Sequence, residues 1–188
     1  LGEAKAVDEA LAKAAHVTRM KIVNNRLIPN AMEPRAALGH YDKAEDHFTL
    51  WTTSQNPHVA RLVMSAFYNV APENKLRVIA PDVGGGFGSK IYIYPEEIVC
   101  LWASKRTGVP VKWTADRTES FMCDAHGRDH VSEVALGFDA DHRMVALKVD
   151  TIANLGAYMS LFSSCVPTYL YATLLSGQYV IPAIHCNV

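Results

Sequence analysis

Ten consecutive residues constrain this chain more than any others: Pro81-Asp82-Val83-Gly84-Gly85-Gly86-Phe87-Gly88-Ser89-Lys90. Four of the eleven glycines fall within five positions here. The apolar run Leu76-Arg77-Val78-Ile79-Ala80 leads in, with the length and residue types of a buried strand. A Gly-Gly-Gly-Phe-Gly segment suits a backbone that turns sharply and approaches another object closely, with N–H groups free to donate. The bland alternative is a flexible surface turn.

Two familiar phosphate cradles fail on spacing. A P-loop places Ser or Thr after its lysine, whereas Ile91 follows Lys90. The dinucleotide fingerprint needs a third glycine where Ser89 stands, opening directly into a helix. No helix start appears before Pro95, and Ile91-Tyr92-Ile93-Tyr94 reads as extended.

The rest of the chain predicts an α+β fold of mixed sheets with packed helices. Residues 7–15 read as a short helix, and residues 16–24 as a strand. Residues 36–41 and 48–52 read as strands joined by a polar turn. A helix starts at Pro57 with Asn56 as N-cap, its inner face carrying Val59, Leu62, Val63, Ala66, Phe67 and Val70. With the strand from Leu76, this makes a βαβ-like crossover. A second helix starts at Pro95 and ends before Gly108, with Ile98, Leu101 and Trp102 facing inward. Residues 111–114 form a short strand, residues 131–138 and 144–153 form a hairpin, and residues 156–182 show no clear period.

Composition excludes several classes. At 49% hydrophobic, 20% charged and net charge −1, the 188 residues describe an ordinary globular chain without the basic surplus of a nucleic-acid binder. Cys100, Cys123, Cys165 and Cys186 are too scattered for a zinc ribbon or a compact disulfide framework, and fit a reducing compartment. The N-terminus lacks the pattern of a signal peptide, and no apolar run is long enough for a membrane span. The chain starts at Leu1 and stops in what reads as a beginning strand, so a piece of a longer polypeptide is expected.

Other reactive residues read as structural. His126 and His130 have helix-face spacing, but Gly127 interrupts them and no Glu adjoins the first His. Asp116-Arg117-Thr118-Glu119 reads as an ion pair or a solvated stretch, and Ser163-Ser164-Cys165 as core or loop. Gln55, just before the Asn-Pro helix start, offers one acceptor and two donors.

Several stretches together resemble the molybdenum-cofactor-binding subunit of the xanthine oxidase family, the molybdenum hydroxylases. They are Asn30-Ala31-Met32-Glu33-Pro34-Arg35, Leu50-Trp51-Thr52-Thr53-Ser54-Gln55-Asn56-Pro57-His58, and the glycine stretch from Asp82 to Lys90. Val111-Lys112-Trp113-Thr114-Ala115-Asp116-Arg117-Thr118-Glu119 and Asn154-Leu155-Gly156-Ala157-Tyr158 complete the set. Within the family the chain is most similar to the large subunit of aerobic carbon monoxide dehydrogenase and related aldehyde- and heterocycle-oxidising enzymes. The resemblance implies that residues 16–188 are the N-terminal part of a molybdenum-cofactor-binding domain, with residues 1–15 ending a preceding linker or domain.

It further implies a molybdenum–molybdopterin cofactor, in the cytosine dinucleotide form. In this family a molybdenum ion held by a pterin dithiolene hydroxylates an electrophilic carbon with water-derived oxygen. Electrons leave through iron–sulfur clusters to FAD on partner subunits. A copper–sulfur bridge alters the chemistry in carbon monoxide enzymes. On this resemblance Gln55, Gly85, Gly86, Phe87 and Gly88 are the cofactor-binding residues. The catalytic glutamate and the loop that separates carbon monoxide enzymes from the rest lie beyond Val188, so no catalytic or metal-ligating residue is assigned within the chain. Ile91 replaces the glutamate of purine-oxidising members, which disfavours xanthine. A cytoplasmic dimer of heterotrimers is implied, with the isolated piece inactive. The alternative is a non-catalytic α+β binding module whose glycine loop grips an anion or a partner backbone.

Overall fold

A computed structural model describes residues 1–188. The chain divides into two units: residues 28–127, and a second made of residues 1–27 with 128–188.

The 28–127 unit is a four-stranded mixed sheet with helices packed on it. Strands β2 (Ala36–Asp42) and β3 (His47–Thr52) form an antiparallel hairpin. Helix α2 (Pro57–Ala66) crosses over to β4 (Leu76–Ile79), which lies parallel to β3, as the strand–helix–strand pattern predicts. Strand β5 (Val111–Thr114) closes the order β4-β3-β2-β5, running antiparallel to β2. Strand β3 alternates, burying Phe48, Leu50 and Thr52. Phe48 and Leu50 join Ala37, Met64, Leu76, Cys100 and Leu101 in one core.

Helix α3 (Pro95–Thr107) lies so close to β2 that a Cβ on Gly39 would stand 2.5 Å from the Cys100 carbonyl carbon. Glycine is the only residue that admits this approach. The helix ends as its sequence predicts, with Gly108 left-handed at φ 76°. A further helix, α4 (Arg117–Cys123), occupies a stretch expected to hold only an ion pair or solvated charges. Asp116 caps it: Glu119 N donates to Asp116 Oδ1, and Asp116 N donates to Glu119 Oε2.

Apolar spacing predicts only part of the face each long helix buries: Val63 of α2 and Leu101 of α3 are buried as expected, and Ile98 packs on the same core. Helix α2 buries Ala60, Val63 and Met64, leaving Leu62 and Phe67 exposed. Helix α3 buries Glu97, Cys100, Leu101 and Ser104, leaving Val99 and Trp102 exposed. Asn56 precedes α2 but its side chain does not cap it.

The other unit is a four-stranded sheet ordered β1 (His16–Asn24), β6 (His130–Phe138), β7 (Met144–Ala153), β8 (Ala183–Asn187). Strands β6 and β7 form the expected hairpin, and β8 runs parallel to β7. Helix α1 (Ala4–Lys13) begins and ends earlier than its alanine content suggests, and packs Val7 and Leu11 on Ala135 and Ala146. A one-turn helix, α5 (Tyr171–Thr173), follows a π-helical turn within the segment that lacked a period. Strand β1 pairs with β6 from Asn24 opposite His130 to His16 opposite Phe138. The entire 28–127 unit is therefore inserted between two paired strands. No helix is long and apolar enough to cross a membrane.

Candidate functional site

The glycine stretch follows β4 and is held at both ends. At its start, Gly84 N donates to Glu33 Oε2 at 2.9 Å, and Glu33 N donates to Gly84 O at 3.2 Å. At its end, Lys90 Nζ donates to Glu33 Oε2 at 2.9 Å and to Glu33 O at 2.8 Å. Burial pushes the Glu33 carboxyl up, but Lys90 and the Gly84 N–H outweigh it and hold it below the ordinary carboxylate value. Inside the loop, Ser89 N and Oγ both donate to Gly86 O. Residues 89–91 form a 3-10 turn that takes in Ile91, the first residue of the expected extended run, while Tyr92 and Tyr94 have extended backbone.

Gln55 reaches the loop from the end of β3. Its Oε1 accepts from Gly88 N at 3.0 Å and from Lys90 N at 3.1 Å, and its own backbone N–H donates to Lys90 O at 2.9 Å. Two backbone N–H groups aimed at one atom fix it as the amide oxygen, because the amide nitrogen cannot accept. The Gln55 amide nitrogen is thereby left as an outward donor. Gly86 faces the same side chain with no room to spare, since a Cβ there would stand 2.4 Å from the Gln55 amide carbon.

At the apex, Phe87 has φ 50° and is 75% exposed. A left-handed phenylalanine is costly and marks a backbone held by its surroundings. The amides of Gly85 and Phe87 have no acceptor within the chain and lie at least partly exposed, whereas Gly86, equally without an acceptor for its amide, is buried against Gln55. The Gly88 amide is not free to donate outward, because it donates to Gln55 Oε1.

A buried cation supports the loop from behind. Arg35 is 4% exposed, with its guanidinium 3.6 Å from the centre of the Tyr94 ring and 5.1 Å from that of Trp113. It pairs with Asp124 and Glu96. Burial opposes its charge, but these two carboxylates outweigh burial and raise its pKa. The Tyr94 hydroxyl donates to Ser89 O at 2.7 Å and accepts from Ala125 N at 3.0 Å, so it ties the loop to the segment after α4. Burial pushes that phenol up to about 12, keeping it neutral. Glu97 accepts from the Thr52 hydroxyl at 2.6 Å and from Tyr94 N at 2.9 Å. Burial raises its pKa despite those donors.

The structure thus brings Gln55, Gly85, Gly86, Phe87 and Gly88 together in one unit, as the sequence suggested. Sequence reasoning missed Glu33, Arg35 and Tyr94 as the loop's supports. Glu33 and Arg35 lie within residues 30–35, a stretch that the resemblance marks without giving either residue a role. His126 lies in a loop and His130 on β6, so they share no helix face. No group of three His, Cys, Asp or Glu side chains converges to hold a metal. A hollow of about 390 Å³ on the other unit is lined by charges of both signs, including Arg19, Lys21, Glu133 and Asp150.

The donor set fits a ligand that presents oxygen acceptors: open backbone N–H groups and an oriented amide nitrogen, beside a rigid aromatic ring. Residues 2–188 match the family model of the molybdopterin cofactor-binding domain. The carbon monoxide dehydrogenase large chain of Hydrogenophaga pseudoflava is 36% identical over 191 residues, covering 100% of this chain and 23% of that protein. The 6-hydroxypseudooxynicotine dehydrogenase complex subunit gamma of Paenarthrobacter nicotinovorans is 36% identical over 177 residues, covering 94% of this chain and 22% of that one. The crystal structure of quinoline 2-oxidoreductase from Pseudomonas putida 86 superposes with a TM-score of 0.83 at 33% identity, covering 96% of this chain and 23% of that chain. The chain therefore spans under a quarter of the length of these relatives.

Proposed function

The chain belongs to the molybdopterin cofactor-binding domain family, and on that premise we propose that it is part of the large subunit of a molybdenum hydroxylase. Its substrate is carbon monoxide or a small aldehyde or heterocycle. The relatives named for carbon monoxide, for 6-hydroxypseudooxynicotine and for quinoline, all at 33–36% identity, support carbon monoxide or a heterocycle without selecting between them. The cofactor, in its cytosine dinucleotide form, would supply the redox centre at which the substrate carbon is oxidised. Partner subunits would carry iron–sulfur clusters and FAD, in a cytoplasmic dimer of heterotrimers.

The roles of this chain's own residues follow from their geometry. Gln55 presents its amide nitrogen as a fixed donor to a cofactor oxygen, because Gly88 N and Lys90 N hold its other end. This orientation is the observation that carries the reading. Such a donor costs no reorganisation when the ligand arrives. The open amides of Gly85 and Phe87 add further donors, and the Phe87 ring at the apex would exclude water from the space beside a bound ligand.

The test uses the full-length parent purified with its partners. Molybdenum and pterin are expected at about one per large subunit, and Gln55→Ala should slow turnover more than it lowers the unfolding midpoint. A well-folded parent without metal or pterin would favour a binding module that grips an anion or a partner backbone. Turnover assays with carbon monoxide, an aldehyde and quinoline then select the substrate.

A further inference from the structure

Glu33 fastens both ends of the glycine loop, yet nothing in the chemistry above gives it a task. Four hydrogen bonds join it to the loop's neck. Two engage Gly84, which lies 51 positions away, and two engage the ammonium of Lys90, which lies 57 away. Lys90 closes the loop, and its side chain is only 2% exposed. An ammonium so enclosed survives only where partners meet it. Here its side-chain partners are the carboxylate and the carbonyl of a single residue.

The consequence reaches Gln55. The same Lys90 whose side chain is held by Glu33 donates its backbone N–H to Gln55 Oε1 and accepts from Gln55 N. A displaced Lys90 therefore takes two of the three backbone contacts that orient Gln55 with it. We propose that Glu33 and Lys90 are a positioning pair for the proposed cofactor-facing loop. They close its neck, and so aim the Gln55 amide nitrogen and the amides of Gly85 and Phe87. What the loop faces rests on the molybdenum reading; the clamp itself rests on the geometry alone.

Neither residue touches substrate, so the test needs readouts beyond activity. In the full-length parent with its partners, Lys90→Met is compared with wild type by hydrogen exchange of residues 84–90. The Mo(V) electron paramagnetic resonance spectrum and steady-state kinetics are then recorded on the loaded enzyme. Exchange is expected to quicken by about tenfold or more at the bonded amides of Gly84, Gly88, Ser89 and Lys90 while β3 stays protected. The spectrum should shift. Turnover should fall about tenfold or more while KM moves by less than about threefold.

Glu33→Gln keeps an acceptor oxygen but loses the charge, so it should move each readout the same way by less. It also carries the test alone if Lys90→Met does not assemble. Loop exchange and spectrum both unchanged in the variant that assembles would overturn the proposal. A wild-type parent without molybdenum would sink the cofactor reading instead, and the exchange comparison would still decide the clamp.

Discussion

A methyl group added to Gly86 would stand 2.3 Å from Gln55 Oε1. Real Cβ atoms do not come so close, so the glycine and the glutamine occupy their positions together. Gly86→Ala is expected to push the Gln55 side chain away and strand the N–H groups of Gly88 and Lys90. Two lost hydrogen bonds predict a destabilisation of about 1–3 kcal/mol. Denaturant unfolding checks the stability, and turnover of the parent enzyme should fall further than stability does.

Phe87 offers the opposite relation between stability and activity. Its φ of 50° suits glycine better than phenylalanine, and its ring is largely exposed. Phe87→Gly relieves about 1 kcal/mol of backbone strain, offset in part by the added freedom of the unfolded chain. The melting temperature should hold or rise, while turnover falls because the apex ring is lost. A clear drop in melting temperature would mean that the ring contributes packing as well.

Arg35 makes contacts that a lysine cannot reproduce. Its fork spans Asp124 and Glu96 while its flat face lies on Tyr94. Arg35→Lys keeps the charge but loses the bidentate geometry and the stacking. A loss of about 1–3 kcal/mol is expected, less than for removing a buried charge outright. Thermal unfolding measures it, and the Tyr94–Ser89 tie should loosen with it.

Two carboxyls, the half-buried Glu33 and the buried Glu97, set opposite pH dependences. Glu33 has a folded pKa below the ordinary 4.5, so its contribution is present above that value and is lost as pH falls through the lowered one. Glu97 has a raised folded pKa, so its contribution is full below 4.5 and is lost as pH rises through the raised value. Glu97→Gln removes the second dependence. Relative to its own stability in acid, the variant should lose less than wild type between pH 4.5 and neutrality. Unfolding free energies at several pH values test this, and an unchanged slope would contradict it.

The parallel β3–α2–β4 crossover was legible because strand length, helix start and second strand each carry a local signal. The face of α2 was legible only in part. Val63 is buried as its spacing predicts, but apolar side chains at Leu62 and Phe67 compete with those at Ala60 and Met64, so periodicity alone cannot set the phase. The buried Glu97 in α3 was invisible for another reason: its partners, Thr52 and the Tyr94 N–H, satisfy it only in three dimensions. Helix α4 is too short to show a period, although Asp116 and Glu119 stand at capping-box spacing. At the site, resemblance paired Gln55 with the glycine loop. Which end of its amide faces outward needed the positions of two backbone N–H groups.

The insertion of the 28–127 unit between β1 and β6 has a consequence for the order of folding. Asn24 and His130 are direct strand partners, so the two strands form a hairpin whose turn is a whole folding unit. Closing so long a loop while it is unstructured costs roughly 4 kcal/mol in chain entropy, by the logarithmic dependence on length. Once the inserted unit has folded, that cost has largely been met by local contacts. This predicts assembly from the middle of the sequence outward: in pulse-labelled hydrogen exchange, β2 and β3 amides should gain protection before those of β1 and β6, and the reverse order would contradict it.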